Sequence, residues 1–479
     1  MNWSRTQLEA EQTNKLRKVL TYAKLNSPFY ANRLKDIDID TFELKDLSKI
    51  KPVTKQDVME NWDDIVTDSS LTLAKANKHL EALRDGKSNN YYYEGTEEHY
   101  FLSATGGTSG KRGLYVWDED LFETTSAITY RLEAAEDMLR PTHTASNNTK
   151  RTAVICAESF LHGSHMLFPQ SPDLERQVKV FPACMPLNQL VHQLNEFQPD
   201  RLVSYSSAIA ELCNEAQAGR LNVQLNRIMS NSEPLSSYTR QKALAIWGIN
   251  IHNSWGSVEI GVAGMEGGDF DGIILGEDFH IIEAVDSSGN IIESGEADHM
   301  LVTRLFGTTM PLIRYKMSDS PTIEWRLDAS EAPAYRRITQ LHGRSDVWFY
   351  YSIPGIQHQN EKVKIHPMTF RQVSGQYSEI HEYQVRQTVN GADIDLLIND
   401  DTDLDSITIH QIEEKLSSKL VKLGLRESTV NVQVKVVKKL NRHPESNKLT
   451  RFVKLAAKGS DSPVKDTVSQ DNLVVALPQ

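Results

Sequence analysis

Between residues 6 and 25 apolar side chains recur at helical spacing, with Leu8, Leu16, Val19, Leu20 and Ala23 roughly on one face. That period predicts an amphipathic helix. A short irregular piece is expected at Asn26-Ser27-Pro28-Phe29-Tyr30. Pro52 and Thr54-Lys55-Gln56-Asp57 read as a turn followed by a helix N-cap. Residues 84–98 are polar apart from their tyrosines and read as a loop, and Leu114-Tyr115-Val116-Trp117 has the length and apolarity of a strand.

From about 118 to 300 the two periods alternate. Strands are expected at 151–156, 201–205 and 227–230, and helices at 187–197 and 208–217. This rhythm predicts α/β layers around a largely parallel sheet. Residues 273–313 change character: Ile273-Ile274-Leu275, His280 to Val285, a turn at Asp286-Ser287-Ser288-Gly289-Asn290, then Met300-Leu301-Val302-Thr303. That is strand–turn–strand, read as antiparallel. Beyond Gly343-Arg344-Ser345-Asp346, strands at 382–385, 395–398 and 431–434 surround a helix at 409–423, the pattern of a small α+β domain. The expected organisation is α/β: a large N-terminal domain of layered sheets and helices (1–345), a small mobile C-terminal α+β domain (346–457) and a polar tail (458–479). No internal repeat is visible.

With 479 residues and 39% hydrophobic content, the chain can form two or three domains with proper cores. Its formal net charge of −12 argues against a nucleic-acid binder, although residues 435–458 are locally basic. Cys156, Cys184 and Cys213 lie far apart without CxxC pairing, so neither a disulfide framework nor a zinc site is suggested. A reducing cytoplasm is the simplest compartment. No apolar signal core opens the chain, and no run approaches the ~18 residues of a membrane span.

The candidate chemistry starts at Ser103-Ala104-Thr105-Gly106-Gly107-Thr108-Ser109-Gly110-Lys111. Glycines alternating with hydroxyl side chains, closed by a lysine, can present backbone N–H and O–H donors to one phosphate. The spacing is not a Walker loop, because Thr105 stands where its first glycine belongs and Arg112 follows the lysine. It is not a dinucleotide fingerprint either. The alternative is a solvated surface turn.

Further segments follow in order: Asn26-Ser27-Pro28-Phe29-Tyr30, Lys51-Pro52-Val53-Thr54-Lys55-Gln56-Asp57, Ser232-Glu233-Pro234-Leu235, Trp255-Gly256-Ser257-Val258-Glu259, Pro311-Leu312-Ile313-Arg314-Tyr315-Lys316-Met317-Ser318-Asp319, Gly343-Arg344-Ser345-Asp346 and Glu445-Ser446-Asn447-Lys448. Together they resemble the adenylate-forming superfamily of acyl-CoA synthetases, luciferase and peptide-synthetase adenylation domains, and within it the phenylacetate–CoA ligase branch. The resemblance runs from about residue 20 to 455. Arg112, Trp255, Ser318 and Asn447 depart from the family pattern, but none of these departures removes a charged group.

The resemblance implies the following roles. Ser103, Thr105, Gly106, Gly107, Thr108, Ser109, Gly110 and Lys111 would hold the β- and γ-phosphates of ATP, Thr108 in a catalytic part. Ser232, Glu233 and Pro234 would lie beside the adenine, with Trp255, Gly256 and Ser257 close by. Glu259 would bind Mg²⁺, a hard cation that prefers carboxylate oxygen; its alternative is a solvated surface glutamate. Asp319 would accept both ribose hydroxyls or else only shape a turn. Arg344 would reach the ribose or a phosphate, or form a salt bridge at the domain border. Lys448 would span the substrate carboxylate and the α-phosphate in the transition state, or be one lysine of a basic segment. Asp346 would be the swivel between domains. Phe160, His162, Tyr205, Ser206, Ile209 and Trp255 are candidates for the acyl pocket, each also readable as core.

The implied activity is ATP-dependent activation of a carboxylic acid, possibly aromatic in this branch, to an acyl-adenylate with release of pyrophosphate, then transfer to CoA. An amine, a hydrazine nitrogen or a carrier-protein thiol is the alternative acceptor. A non-catalytic nucleotide-binding protein is the alternative of another class. A homodimer is compatible with this reading, and neither nucleic acid nor membrane is expected as a partner.

Overall fold

The computed structural model describes residues 3–84, 87–88, 92–96, 98–105, 113–139, 151–156, 177–183, 185–266, 272–325, 335–344, 349–352, 362–365, 369–370, 380–398, 406–442 and 449–455. The expected first helix spans Arg5–Asn26. Ser4 and Gln7 form a capping box at its start, and Leu8, Leu16, Val19, Leu20 and Ala23 lie on its buried face. The next segment, expected to be irregular, is a helix, Pro28–Arg33. Pro28 suits a first helical turn because its missing N–H has no intrahelical partner there and its φ is already helical. Thr54 caps Lys55–Glu60 reciprocally with Asp57, as anticipated. Residues 84–98 are less irregular than their composition suggests, since Tyr92–Tyr93 pairs with Tyr100 and Phe101.

The central sheet has ten strands, in the order Gly295–Glu296, Asp319–Trp325, Arg336–Arg344, Ile273–Leu275, Gly261–Met265, Ile251–Ser257, Arg227–Ser230, Arg201–Ser204, Thr152–Cys156, Val178–Pro182. The last five named are mutually parallel. The other half is antiparallel, so the expectation of a largely parallel sheet holds for one half only. The change falls where Ile251–Ser257 turns through three residues into Gly261–Met265, a link too short for a parallel crossover. One face of the parallel half packs Leu202, Ile228 and Ile251 against Leu190, Leu194, Ile209 and Leu212 of the helices Leu187–Phe197 and Ser206–Gln217. The opposite face, with Met229 and Met265, meets Leu121 and Ile128 of Glu119–Leu139.

His280–Val285 and His299–Arg304 pair antiparallel as read from the sequence. The turn at 286–290 leads instead into a short strand, Ile291–Ile292, on the other edge of His280–Val285, and Asp286 organises it, its Oδ1 accepting the N–H groups of Ser288 and Asn290. Ile273–Leu275 departs from that reading and joins the ten-stranded sheet.

Residues 349–434 supply an apolar cluster of their own. Val385, Ile394 and Leu396 of a four-stranded sheet pack with Ile412, Leu416 and Leu420 of the helix Ser406–Lys422. The sheet order is Asn431–Val436, Gly391–Ile398, Ile380–Gln387, Phe452–Val453. Residues 458–479, expected as a tail, lie outside the described residues.

Candidate active site

The glycine-rich loop grows from a hairpin. Tyr100–Ala104 pairs antiparallel with Leu114–Trp117, ending on Ala104 opposite Leu114. Just beyond, Thr105 N–H donates to the Gly113 carbonyl at 2.8 Å. Gly113 N–H returns a bond to Thr105 Oγ1 at 2.9 Å. Lys55 Nζ donates to the same Oγ1 at 2.9 Å. The base of the loop is thereby closed, and a lysine from the first turn of another helix is fixed to it. Ser103 is fully buried in the strand. Gly106, Gly107, Thr108, Ser109, Gly110 and Lys111 lie outside the described residues.

The second element is the turn after Arg227–Ser230. Ser232 has φ +63°, the left-handed region, at the position where the family motif carries glycine. This backbone turn aims Glu233 at two other elements. Its Oε2 accepts the N–H of Ser207, in the first turn of Ser206–Gln217, at 2.9 Å. Its Oε1 accepts the N–H of Leu449 at 3.2 Å. Leu449 directly follows Lys448 in sequence; Lys448 itself lies outside the described residues. Arg442 comes from the same direction: its guanidinium donates to Ser207 Oγ at 2.8 Å and lies 3.6 Å from Glu211.

The third element is the Trp255–Glu259 corner. Gly256 is required by close approach, since a Cβ there would stand 2.3 Å from the Gly261 carbonyl oxygen. Glu259 is half-buried and bonded through its backbone, with its N–H on Ser257 Oγ at 3.3 Å and its carbonyl accepting Arg304 at 2.9 Å. Among the described residues none pairs with its carboxylate. Arg304 is buried and also donates to the carbonyls of Phe306, Gly307 and Met310. It ties the glutamate corner to the Thr308–Thr309 segment. Burial pushes its guanidinium down to about 10, against the opposing pull of Asp118 and Asp120.

Asp319 opens Asp319–Trp325 and faces Arg344, the last residue of Arg336–Arg344, in cross-strand register. The two positions assigned to the ribose are therefore neighbours in the sheet. Arg314, in the same motif as Asp319, faces elsewhere. Its guanidinium makes a buried bidentate pair with Glu283 at 2.8 and 2.9 Å and donates to the Ile50 carbonyl. Burial pushes the Glu283 carboxyl up, with Arg314 opposing.

Of the residues expected at the acyl pocket, Tyr205 precedes the helix Ser206–Gln217 and packs with Val154 and Cys156. Ser206 is buried, and Ile209 is part of the core between helix and sheet. Phe160, His162 and the hinge residue Asp346 lie outside the described residues. Sequence reasoning missed Ser204 and Ser230, which join the expected Trp255 as buried donors: among the described residues Ser204 Oγ, Ser230 Oγ and Trp255 Nε1 have no hydrogen-bond partner. Ser204 and Ser230 are register partners at the carboxyl ends of parallel strands, and Ser230 is in register with Asn253, two residues before Trp255. Strand alternation puts all three donors on one face, in the place where open α/β sheets bind ligands. Lys55 and Arg442 were also missed. Lys55 stood inside a quoted motif, whereas Arg442 carried no signal of its own.

Among the described residues no group of three His, Cys, Asp or Glu side chains gathers as a metal cage. Mg²⁺ needs no such cage when a carboxylate and substrate phosphates share it, and the Glu259 carboxylate, without a partner among the described residues, fits that donor set.

No family model matches the chain. It is 22% identical over 355 residues to protein CapK of Staphylococcus aureus, covering 70% of this chain and 67% of that protein. It is 26% identical over 255 residues to a phenylacetate–coenzyme A ligase of Pseudomonas putida, spanning about half of each (52% and 53%). In three dimensions it is similar to 2-hydroxyisobutyryl-CoA ligase in the postadenylation state in complex with R3-HIB-AMP. The TM-score is 0.66 at 17% identity, covering 94% of this chain and 90% of that one. The resemblance read from the motifs therefore holds: in sequence the chain is similar to phenylacetate–coenzyme A ligases and to protein CapK, and in fold to 2-hydroxyisobutyryl-CoA ligase.

Proposed function

We propose that the chain is an ATP-dependent acid–thiol ligase. A carboxylate oxygen attacks the α-phosphorus of ATP, pyrophosphate leaves, and an acyl-adenylate forms. A CoA thiol then attacks the acyl carbonyl and AMP leaves. The observation that carries this reading is the position of Leu449, bonded to Glu233 of the adenine turn: the residue after Lys448 sits against the motif assigned to the nucleotide. Both a carboxylate and ATP are anionic, so their approach needs charge neutralised and atoms aligned. Lys448 supplies that charge to the α-phosphate and the acid, Lys111 and Lys55 supply it to the leaving pyrophosphate, and Asp319 with Arg344 orients the ribose. Mg²⁺, carried by Glu259, would supply further charge neutralisation at the phosphates.

In this reading residues 1–345 hold the nucleotide, and 346–457 form the small domain that swivels about Asp346. The work is cytoplasmic, and a homodimer is compatible with it. Among the described residues no helix is long and apolar enough to cross a membrane. An aromatic acid follows from the branch. The unpaired donors of Ser204, Ser230 and Trp255 favour an acid that also carries a hydrogen-bond acceptor.

The test is exchange of labelled pyrophosphate into ATP with a panel of acids that includes phenylacetate and 2-hydroxyisobutyrate. One acid should support exchange and Lys448→Ala should abolish it. Product mass after adding CoA or amines identifies the acceptor. Exchange that survives undiminished in Lys448→Ala removes the role given to that lysine.

A further inference from the structure

Glu233 and Arg442 share one target, the first turn of the helix Ser206–Gln217, and reach it from different parts of the chain. Glu233 binds the N–H of Ser207 and, with its second oxygen, the N–H of Leu449. Arg442 binds the hydroxyl of the same Ser207 and approaches Glu211 one helical turn on. Arg442 and Leu449 are themselves bridge partners, antiparallel, so they bracket residues 443–448. The bracket is anchored from behind. Gln384, nearly fully buried on the strand Ile380–Gln387, donates one amide group to the carbonyls of Asn441 at 3.0 Å and Thr450 at 2.8 Å. Those are the residues just outside the bracket on each side. Arg451, next again, pairs with Glu382 on the same strand at 2.6 Å.

We propose that Glu233 and Arg442 are positioning residues. They latch both ends of the lysine-bearing span to the first turn of Ser206–Gln217 and to the adenine turn, setting the arrangement in which adenylation occurs. This deepens the ligase reading and rests on it for the role of Lys448. Neither residue touches the reacting atoms. A span tied at both ends has less freedom in where it delivers a charge, and displacement of a charged group by about 1 Å can cost roughly a hundredfold in rate. The latch is made of charge-assisted bonds, which are stronger than neutral ones, and its release parts Leu449 from Glu233 and Arg442 from Ser207 and Glu211. It therefore acts on the first half-reaction and has no part in transfer from an acyl-adenylate already formed.

The experiment uses the full chain and three variants, Arg442→Ala, Arg442→Lys and Ser207→Ala. Amide hydrogen exchange read by mass spectrometry on peptides covering 449–455 reports the latch without any substrate. Protection should fall in Arg442→Ala and be retained largely in Arg442→Lys. Pyrophosphate exchange with the best acid of the panel should fall roughly 10- to 100-fold in Arg442→Ala, while CoA transfer from the supplied acyl-adenylate falls far less. Ser207→Ala should add little to Arg442→Ala, because the two changes remove the same bond. Unaltered amide protection in Arg442→Ala overturns the latch, and so does equal loss in both half-reactions. If no acid supports exchange in the wild-type chain, the ligase reading fails, and amide protection alone decides whether these residues hold the span.

Discussion

Lys55 Nζ lies 2.9 Å from Thr105 Oγ1, and that same oxygen accepts the Gly113 N–H. With both contacts donating to it, the threonine hydroxyl can turn its own hydrogen towards a further acceptor, and the lysine adds positive charge at the mouth of the glycine-rich loop. Lys55→Met should raise the KM for ATP in pyrophosphate exchange by about tenfold or more, the equivalent of ~1.4 kcal/mol, the order expected for a charged hydrogen bond. Thr105→Ala should raise it too, and the double variant should be less than additive because the pair shares one contact. Steady-state kinetics with varied ATP checks this. An unchanged KM in Lys55→Met would make the lysine a purely structural prop.

Asp319 and Arg344 end adjacent strands as register partners, which places a carboxylate acceptor at the site proposed for the ribose. An ionised carboxylate only accepts, and it can take two hydroxyl donors at once. Wild-type exchange should therefore discriminate against 2′-deoxy-ATP and 3′-deoxy-ATP. Asp319→Ala should lose most of that discrimination along with roughly 1.5–3 kcal/mol of ATP affinity. Discrimination that survives the substitution would move the ribose site elsewhere.

The elements legible from sequence were those whose own side chains decide them. The face of Leu8, Leu16, Val19 and Leu20 predicts its helix because burial on one side of a 3.6-residue period leaves no other solution. The alternation of 151–230 predicts parallel strands for a similar reason, since helical crossovers are the connections such strands require. The antiparallel half of the sheet was not legible. Its strands are recruited from residues up to 344 and paired by long-range contacts, with only the three-residue turn before Gly261 as a local clue. The site divides the same way. The ordered motifs singled out Glu233, Glu259 and Asp319 as candidates. That Glu233 would meet Leu449, or Lys55 meet Thr105, depends on distant segments converging, and neither partner carries a pattern that announces it.

Ser204 and Ser230 bury hydroxyls that find no partner among the described residues, and leaving such a group unsatisfied costs on the order of 1–3 kcal/mol. Ser230→Ala removes that cost with little change in volume, so the thermal midpoint should stay level or rise. If the hydroxyl serves the bound acid, the same variant should shift the acid panel towards more apolar acids and raise the KM of the preferred one. A fall in stability together with an unaltered panel would show that the serine is a structural residue, satisfied by water.

His280 is fully buried, with Nε2 2.9 Å from the Ile260 carbonyl, Nδ1 3.3 Å from that of Gly276 and Phe306 edge-on to the ring. Burial pushes its pKa down from 6.5 to about 4, outweighing the carbonyl contacts that favour the charged form. The sign follows from linkage. Above pH 6.5 the ring is neutral in both folded and unfolded chains, and it contributes no slope. Between 6.5 and 4 the unfolded chain takes up a proton that the folded chain refuses, so stability falls as pH drops through this window and levels off below it. The loss attributable to this one ring is on the order of 3 kcal/mol. Urea unfolding measured from pH 7.5 to 4.5 should show the slope, and His280→Gln should flatten it while lowering stability at pH 7.5. Parallel stability profiles for wild type and variant would assign the acid sensitivity to other groups.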